Sequence, residues 1–346
     1  MSSTPVTLRL AEPAETISIV PYLLGFHPTT SVGVLALREA HVLAAARLDL
    51  PTDFADRARY IEAALELTDR LAASGAEAAI LIGYGPVEPV ALAVDLMTAI
   101  LAEAGIAVRD ALRVGDQRWW HLSCIDPMCC PAYGTAFDPS TSVAAASATV
   151  AGLVALPSRD AVAAQLAPIC GPARQAFAAA TEAVVTRLLD VADLAAPEPG
   201  NGAGDSDAWM STPAGEAMTI VGQQLLTEAL GTYRRGQVLD DHRAATLTVL
   251  LGMPAVRDAA IRLSTGDDWQ IRMWTDLVRR VEPEFTPVPA VLLALAALQA
   301  GNGILADCAV RRALDADPDN RVAQLVLQLV QTGIDPYSTA ALIAAI

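Results

Sequence analysis

Hydrophobic positions along the chain change period several times, and each change marks an element. Residues 14–25 read as a short apolar helix that Pro21 kinks or restarts, closed by Gly25 and the turn-like His-Pro-Thr-Thr that follows. The next two apolar runs, residues 31–37 and 41–50, are separated only by Arg38, Glu39 and Ala40, the pattern of a β-hairpin. Asp53 stands as an N-cap before a 3.6-period stretch to residue 73, with Tyr60, Ala64, Leu67 and Leu71 on one face and charges opposite. Residues 78–83 are wholly apolar and bounded by glycines, as in a strand buried on both faces. A helix over 88–104 follows, then two strand-like runs, 107–114 and 117–123, meeting at Gly115 and Asp116. The order β-β-α-β-α-β-β predicts a mixed sheet with helices on its faces.

From residue 140 the chain turns alanine-rich and helical, with one apolar run at 152–156 read as a last edge strand before Ser158 caps the next helix. Between 196 and 215 Pro, Gly, Asn and Asp cluster without hydrophobic period, which is linker composition. The expected organisation is therefore an α/β domain over 1–195, a linker over 196–215 and an all-helical domain over 216–346. Beyond the linker every segment has the helical period, and residues 294–336 resemble one and a half tetratricopeptide units, with Asp317, Pro318 and Asn320 in the inter-helix turn. An ordinary helical bundle gives the same pattern.

Length supports two cores: 346 residues exceed the usual size of one. All 23 basic residues are arginine, which removes Schiff-base and P-loop lysine chemistry. A net charge of −16 with no basic stripe excludes direct nucleic-acid binding. The first fifteen residues lack a basic segment followed by an apolar one, and no run is apolar enough for a bilayer span, so a cytoplasmic location without membrane contact is expected. Five cysteines in such a chain are not a disulfide framework.

Two segments carry candidate chemistry. His121-Leu-Ser-Cys124-Ile-Asp-Pro-Met-Cys129-Cys130 gathers an imidazole and three thiols beside Trp119, Trp120 and Asp126. His121, Cys124, Cys129 and Cys130 are a sulfur-and-nitrogen set of the kind that holds zinc, although adjacent cysteines fit one tetrahedron poorly. One thiol could instead be an activated thiolate with Arg118 and His121 nearby. The apolar surroundings and the acidic chain favour a third state, thiols buried beneath Trp119 or Trp120, with no cofactor. The other segment, residues 21–28, sets His27 between Phe26 and Pro28 after a glycine turn. There it serves as an acid, base or ligand, or simply bonds a neighbouring carbonyl. His27, Cys124, Cys129 and Cys130 are the catalytic candidates. His41 and His242 open a strand and a helix and read as structural.

The strings PYLLGFHPTTSVGVLAL, RLDLP, RWWHLSCIDPMCCPAYG, ALPSRDAV and LLALAALQAGNGILADCAVRRALDADP together resemble the actinobacterial family known as domain of unknown function 4192. The resemblance runs over nearly the whole chain and implies that residues 21–28 and 124–131 are family motifs. It brings no activity, substrate or catalytic residue with it. Two functions follow as expectations. The favoured one is a non-enzymatic interaction protein whose helical C-terminal half binds a protein partner. The other is an enzyme or small-ligand sensor combining the residue 21–28 and 124–130 loops.

Overall fold

The structure is a computed structural model that describes residues 12–124, 126, 128, 130–195 and 208–332. It divides into two compact units, residues 1–162 and 163–346.

The first unit begins with α1 (Pro13–Leu24), which runs through Pro21 as one helix and ends where Gly25 takes φ +79°. The hairpin β1 (Ser31–Arg38) and β2 (His41–Asp49) follows, then α2 (Phe54–Ala73), β3 (Ala78–Tyr84), α3 (Val87–Glu103), β4 (Ala107–Gly115) and β5 (Arg118–His121). A two-residue β6 (Thr135–Ala136), α4 (Val143–Val150) and α5 (Arg159–Ala164), which spans the division, complete it. The sheet order is β2-β1-β3-β4-β5-β6. Only β3 and β4 are parallel, because α3 carries the chain between them, and every other neighbour is antiparallel.

β1 is buried on both faces. Val32, Val34 and Ala36 join Leu81, Tyr60, Leu67, Val94, Met97 and Leu101 in the core beneath α2 and α3. On the other face the position of Gly33 meets Val20 of α1 and Tyr84. Gly83 lets α3 come close, since a Cβ there would lie 2.1 Å from Val90 Cγ1. The predicted cap is present, with Asp56 N–H donating to Asp53 Oδ1 at 2.8 Å. At the far end of α2, Arg38 donates to the carbonyls of Ser74 and Gly75.

Two expectations change. The run 152–156 is no sheet strand: Leu156 makes an isolated parallel bridge to Phe26, with His27 N–H donating to Leu156 O at 2.8 Å and Leu156 N–H to Gly25 O at 2.9 Å. The sixth strand is instead Thr135–Ala136, paired with Arg118 and Trp119, too short to leave a periodic signal.

α1 and α4 are joined by one carboxylate. Glu15 accepts from Ala144 N–H at 2.7 Å, from Ser142 Oγ–H at 2.8 Å and from Val143 N–H at 3.3 Å, so a side chain of α1 caps the N-terminus of α4. The Ala144 amide, then the Ser142 hydroxyl, hold the Glu15 carboxyl below its ordinary value against the opposing effect of burial. A depressed carboxyl stabilises the fold above its unfolded pKa, and that contribution disappears as pH falls through the folded value. Glu15→Gln is therefore expected to melt earlier than the wild type at pH 7, with the gap closing as pH falls below the ordinary carboxyl range and through the depressed folded value. Parallel melting curves across that range would contradict it.

The second unit is helical: α6 (Pro172–Ala195), α7 (Pro213–Arg234), α8 (Asp241–Leu250), α9 (Pro254–Arg262), α10 (Asp268–Arg280), α11 (Pro287–Gln299), α12 (Gly303–Ala316) and α13 (Arg321–Thr332). Side-chain caps start α7, α8 and α12 from Thr212, Asp240 and Asn302. α11 is apolar all round and buried from Pro289 to Leu298, with α10, α12 and α13 packed on it. The tetratricopeptide likeness stays one of spacing and turn residues. The sequence reading placed α6 before a linker, with the α/β domain. Its packing on α8, with Phe177 fully buried, puts it in the helical unit. Most of the 196–215 segment lies outside the described residues. Among the described residues no single helix is long and apolar enough to cross a membrane.

Candidate functional site at the edge of β5

A tight turn at Asp116 and Gln117, both with positive φ, reverses the chain from β4 into β5 and sets Leu112 opposite His121. Alternation then places Asp110, two residues before Leu112, on the same face as His121. His121 Nδ1 lies 3.0 Å from Asp110 Oδ1, both side chains half-buried. An ionised carboxylate only accepts, so Nδ1 carries the proton and Nε2 is the basic, accepting nitrogen. The Trp119 ring meets the His121 ring edge-on at 5.0 Å, which fixes the imidazole from a second side.

Trp120 points to the opposite face and is clamped. Arg113 stacks over its ring at 4.4 Å, its Nε1–H donates to Ala132 O at 3.1 Å, and Gly134, at φ +75°, lies so close that a Cβ would come within 2.4 Å of Trp120 Cε2. The loop after β5 wraps this tryptophan. Met128 N–H donates to Asp126 Oδ1, Cys130 N–H to Asp126 O and Gly134 N–H to Pro131 O, while Arg118 donates to Gly134 O.

Between strand and loop lies a cavity of about 330 Å³, lined by Trp119, Trp120, His121, Cys124, Cys130 and Thr135, with Pro131, Ala132 and Gly134 along the loop side. Cys124 and Cys130 are half-exposed along it, so the expectation of thiols buried under tryptophan is replaced by thiols on a cavity wall. The reason is the loop: Met128 and Tyr133 point to solvent, 93% and 73% exposed, rather than closing over the sulfurs. The Trp119 Nε1–H is buried and has no partner among the described residues.

Of the sequence candidates, His121, Cys124 and Cys130 are brought together, and Cys129 lies outside the described residues. His27 is not among them: it is exposed on the segment entering β1, and β3 and β4 stand between β1 and β5. Among the described residues no three His, Cys, Asp or Glu side chains are grouped to hold a metal ion. Asp110 is the residue that sequence reading missed. Its only signal is two-residue alternation with Leu112 and Val114 in β4, which says which face it shares but not which histidine it meets.

A mixed six-stranded sheet with a cavity at its edge, followed by a helical unit, defines a two-unit α/β-plus-α protein. The chain belongs to the family described as Domain of unknown function (DUF4192), whose model matches residues 13–337. No curated protein and no solved structure matches it.

Proposed function

We propose that the protein is a cytosolic small-ligand-binding protein whose ligand occupies the cavity at the β5 edge. The observation that carries this reading is the cavity itself, about 330 Å³ and walled by the Trp119 and Trp120 rings. Beside it His121, held by Asp110, offers an accepting Nε2, so a fitting ligand is a planar heterocycle or amide that carries an N–H donor. Tryptophan rings supply flat apolar walls and the cavity has the size of such a ligand. A cavity in the helical unit, near Arg257, Ile261 and Leu292, measures about 40 Å³, room for water only. The β5-edge cavity, with its aromatic walls and its held histidine, favours ligand binding over the partner-binding reading.

Native mass spectrometry of the purified protein, with tryptophan-fluorescence titration by adenine, uracil and nicotinamide as probes, tests the proposal. Trp119→Phe keeps an aromatic wall but removes the fused pyrrole ring with its N–H, and is expected to weaken binding about 5- to 10-fold. Equal affinity in the two proteins, or no binding by either method, would refute the assignment.

A further inference from the structure

The pairing of β5 with β6 stops short of His121. Its register sets Arg118 opposite Ala136 and Trp119 opposite Thr135, and continued it would set Tyr133 opposite His121, but Tyr133 lies in the loop and not in β6. Arg118 engages it there, stacked over the Tyr133 ring at 5.7 Å and donating to Tyr133 O at 3.4 Å, while Gly134 is seated against the Trp120 indole. The cavity at the β5 edge is the space that this divergence leaves, with Trp119, Trp120 and His121 on the strand side and Cys130, Pro131 and Ala132 on the loop side.

Two bonds tell which main-chain groups face that space. Phe137 N–H donates to Gln117 O at 3.1 Å, on the β6 side, and Leu122 N–H donates to Ala111 O at 2.8 Å, on the β4 side. Successive residues of a strand turn their N–H and C=O groups to opposite neighbours, so Arg118, Trp120 and Leu122 bond toward β4 while Gln117, Trp119 and His121 turn outward. Trp119 meets Thr135 there. The His121 N–H and C=O have no hydrogen-bond partner among the described residues, and both point from the strand edge toward the loop.

We infer that the ligand of this cavity carries a cis-amide edge, as in a lactam, pyridone or pyrimidinone ring, and supplies the missing rung by pairing with the main chain of His121. This rests on the cavity being a ligand site and specifies what its ligand must present. In an antiparallel ladder the N–H and C=O of one residue stand side by side and exchange two bonds with a partner that offers an acceptor beside a donor. A ring lactam holds its C=O and N–H fixed on one edge in that arrangement, so no torsion has to be frozen on binding. The plane of such a ring continues the sheet, and Trp119 and Trp120, which leave β5 toward opposite faces, flank it. An added peptide strand would need the loop to swing away, and the Trp120 Nε1–H anchors that loop through Ala132 O at 3.1 Å. His121 Nε2, which the Asp110 bond leaves as an acceptor, takes a second N–H where the ligand has one.

Uracil and uracil methylated on both ring nitrogens, titrated into the full-length protein and followed by amide nitrogen–proton NMR, test the assignment. The methylated form keeps the ring and both carbonyls and loses the donors. Uracil is expected to bind at least about 10-fold more tightly and to move the His121 amide proton downfield. His121→Ala removes the imidazole but keeps the main chain, and is expected to retain at least about a 5-fold preference for uracil. Adenine or nicotinamide bound without uracil, uracil bound no better than its methylated form, an unmoved His121 amide, or a preference that His121→Ala erases would each overturn the main-chain pairing while leaving the cavity a ligand site. Binding of none of these probes would remove the ligand reading itself, and this inference with it.

Discussion

Gly134→Ala is expected to destabilise the first unit by about 2–5 kcal/mol and to abolish ligand binding at the β5 edge. Two effects combine. At φ +75° an L side chain costs about 1–2 kcal/mol that glycine does not incur. The new Cβ would also sit 2.4 Å from Trp120 Cε2 and 2.7 Å from its Nε1, and the indole has nowhere to retreat, with Arg113 stacked 4.4 Å away and Ala132 O holding its N–H. Overpacking of this kind adds about 1–3 kcal/mol. Calorimetry should show the first unit's melting temperature falling by about 5–15 °C. Trp120→Ala makes room for the added methyl, so Gly134→Ala on that background should cost only the backbone part. Full additivity of the two changes would mean that the contact with Trp120 is not what requires a glycine.

Arg280→Ala is expected to cost the helical unit about 3 kcal/mol. The guanidinium is buried and joins three helices: it donates to Leu239 O before α8, pairs with Asp241 at the start of α8 and with Asp276 on α10, and stacks over Phe177 of α6 at 5.1 Å. Asp276 in turn accepts from Tyr233 of α7. Removing one partner of a buried pair costs about 3–5 kcal/mol. Asp241 is 45% exposed and can recover water, which places the loss at the low end. Arg280→Lys keeps the charge but loses the planar fork that serves two carboxylates, a carbonyl and a ring at once, so it should recover less than half. Chemical denaturation followed through the helical signal checks both variants, and full rescue by lysine would reduce the node to a point charge.

Much of the first unit was legible because its elements depend on local information. Period changes at residues 31, 54 and 78, the Asp53 cap and the short connections around Glu39 and Asp116 each declare themselves within a few residues. β6 did not, because two residues have no period. The unit division was harder for a different reason. Linker composition drew attention to 196–215, whereas packing divides the chain at 162/163, within α5, where nothing in the composition changes. An amphipathic helix such as α6 shows that one face is buried but not against which body.

The site divides along the same line. Residue types around His121, Cys124 and Cys130 could be read directly, and their neighbours in sequence proved to be neighbours in space. Pairing them with His27 failed because only sheet order reveals that β3 and β4 intervene. The true partner of His121 needed the β4–β5 register, in which Leu112 faces His121 and Asp110 follows on the same face. Register depends on a turn whose two central residues, Asp116 and Gln117, both adopt φ > 0, and the glycine that sequence reading placed in that turn lies just before it.

The carboxylate that joins α1 to α4 also orders events in time. Glu15 and Ser142 are 127 residues apart, and Ile19 is buried against Ala144 and Ala148 with Tyr22 beside it. During synthesis at about 5–20 residues per second, α1 leaves the ribosome roughly 6–25 s before its cap partner exists. For that interval Ile19 and Tyr22 lack the α4 residues that pack against them in the fold.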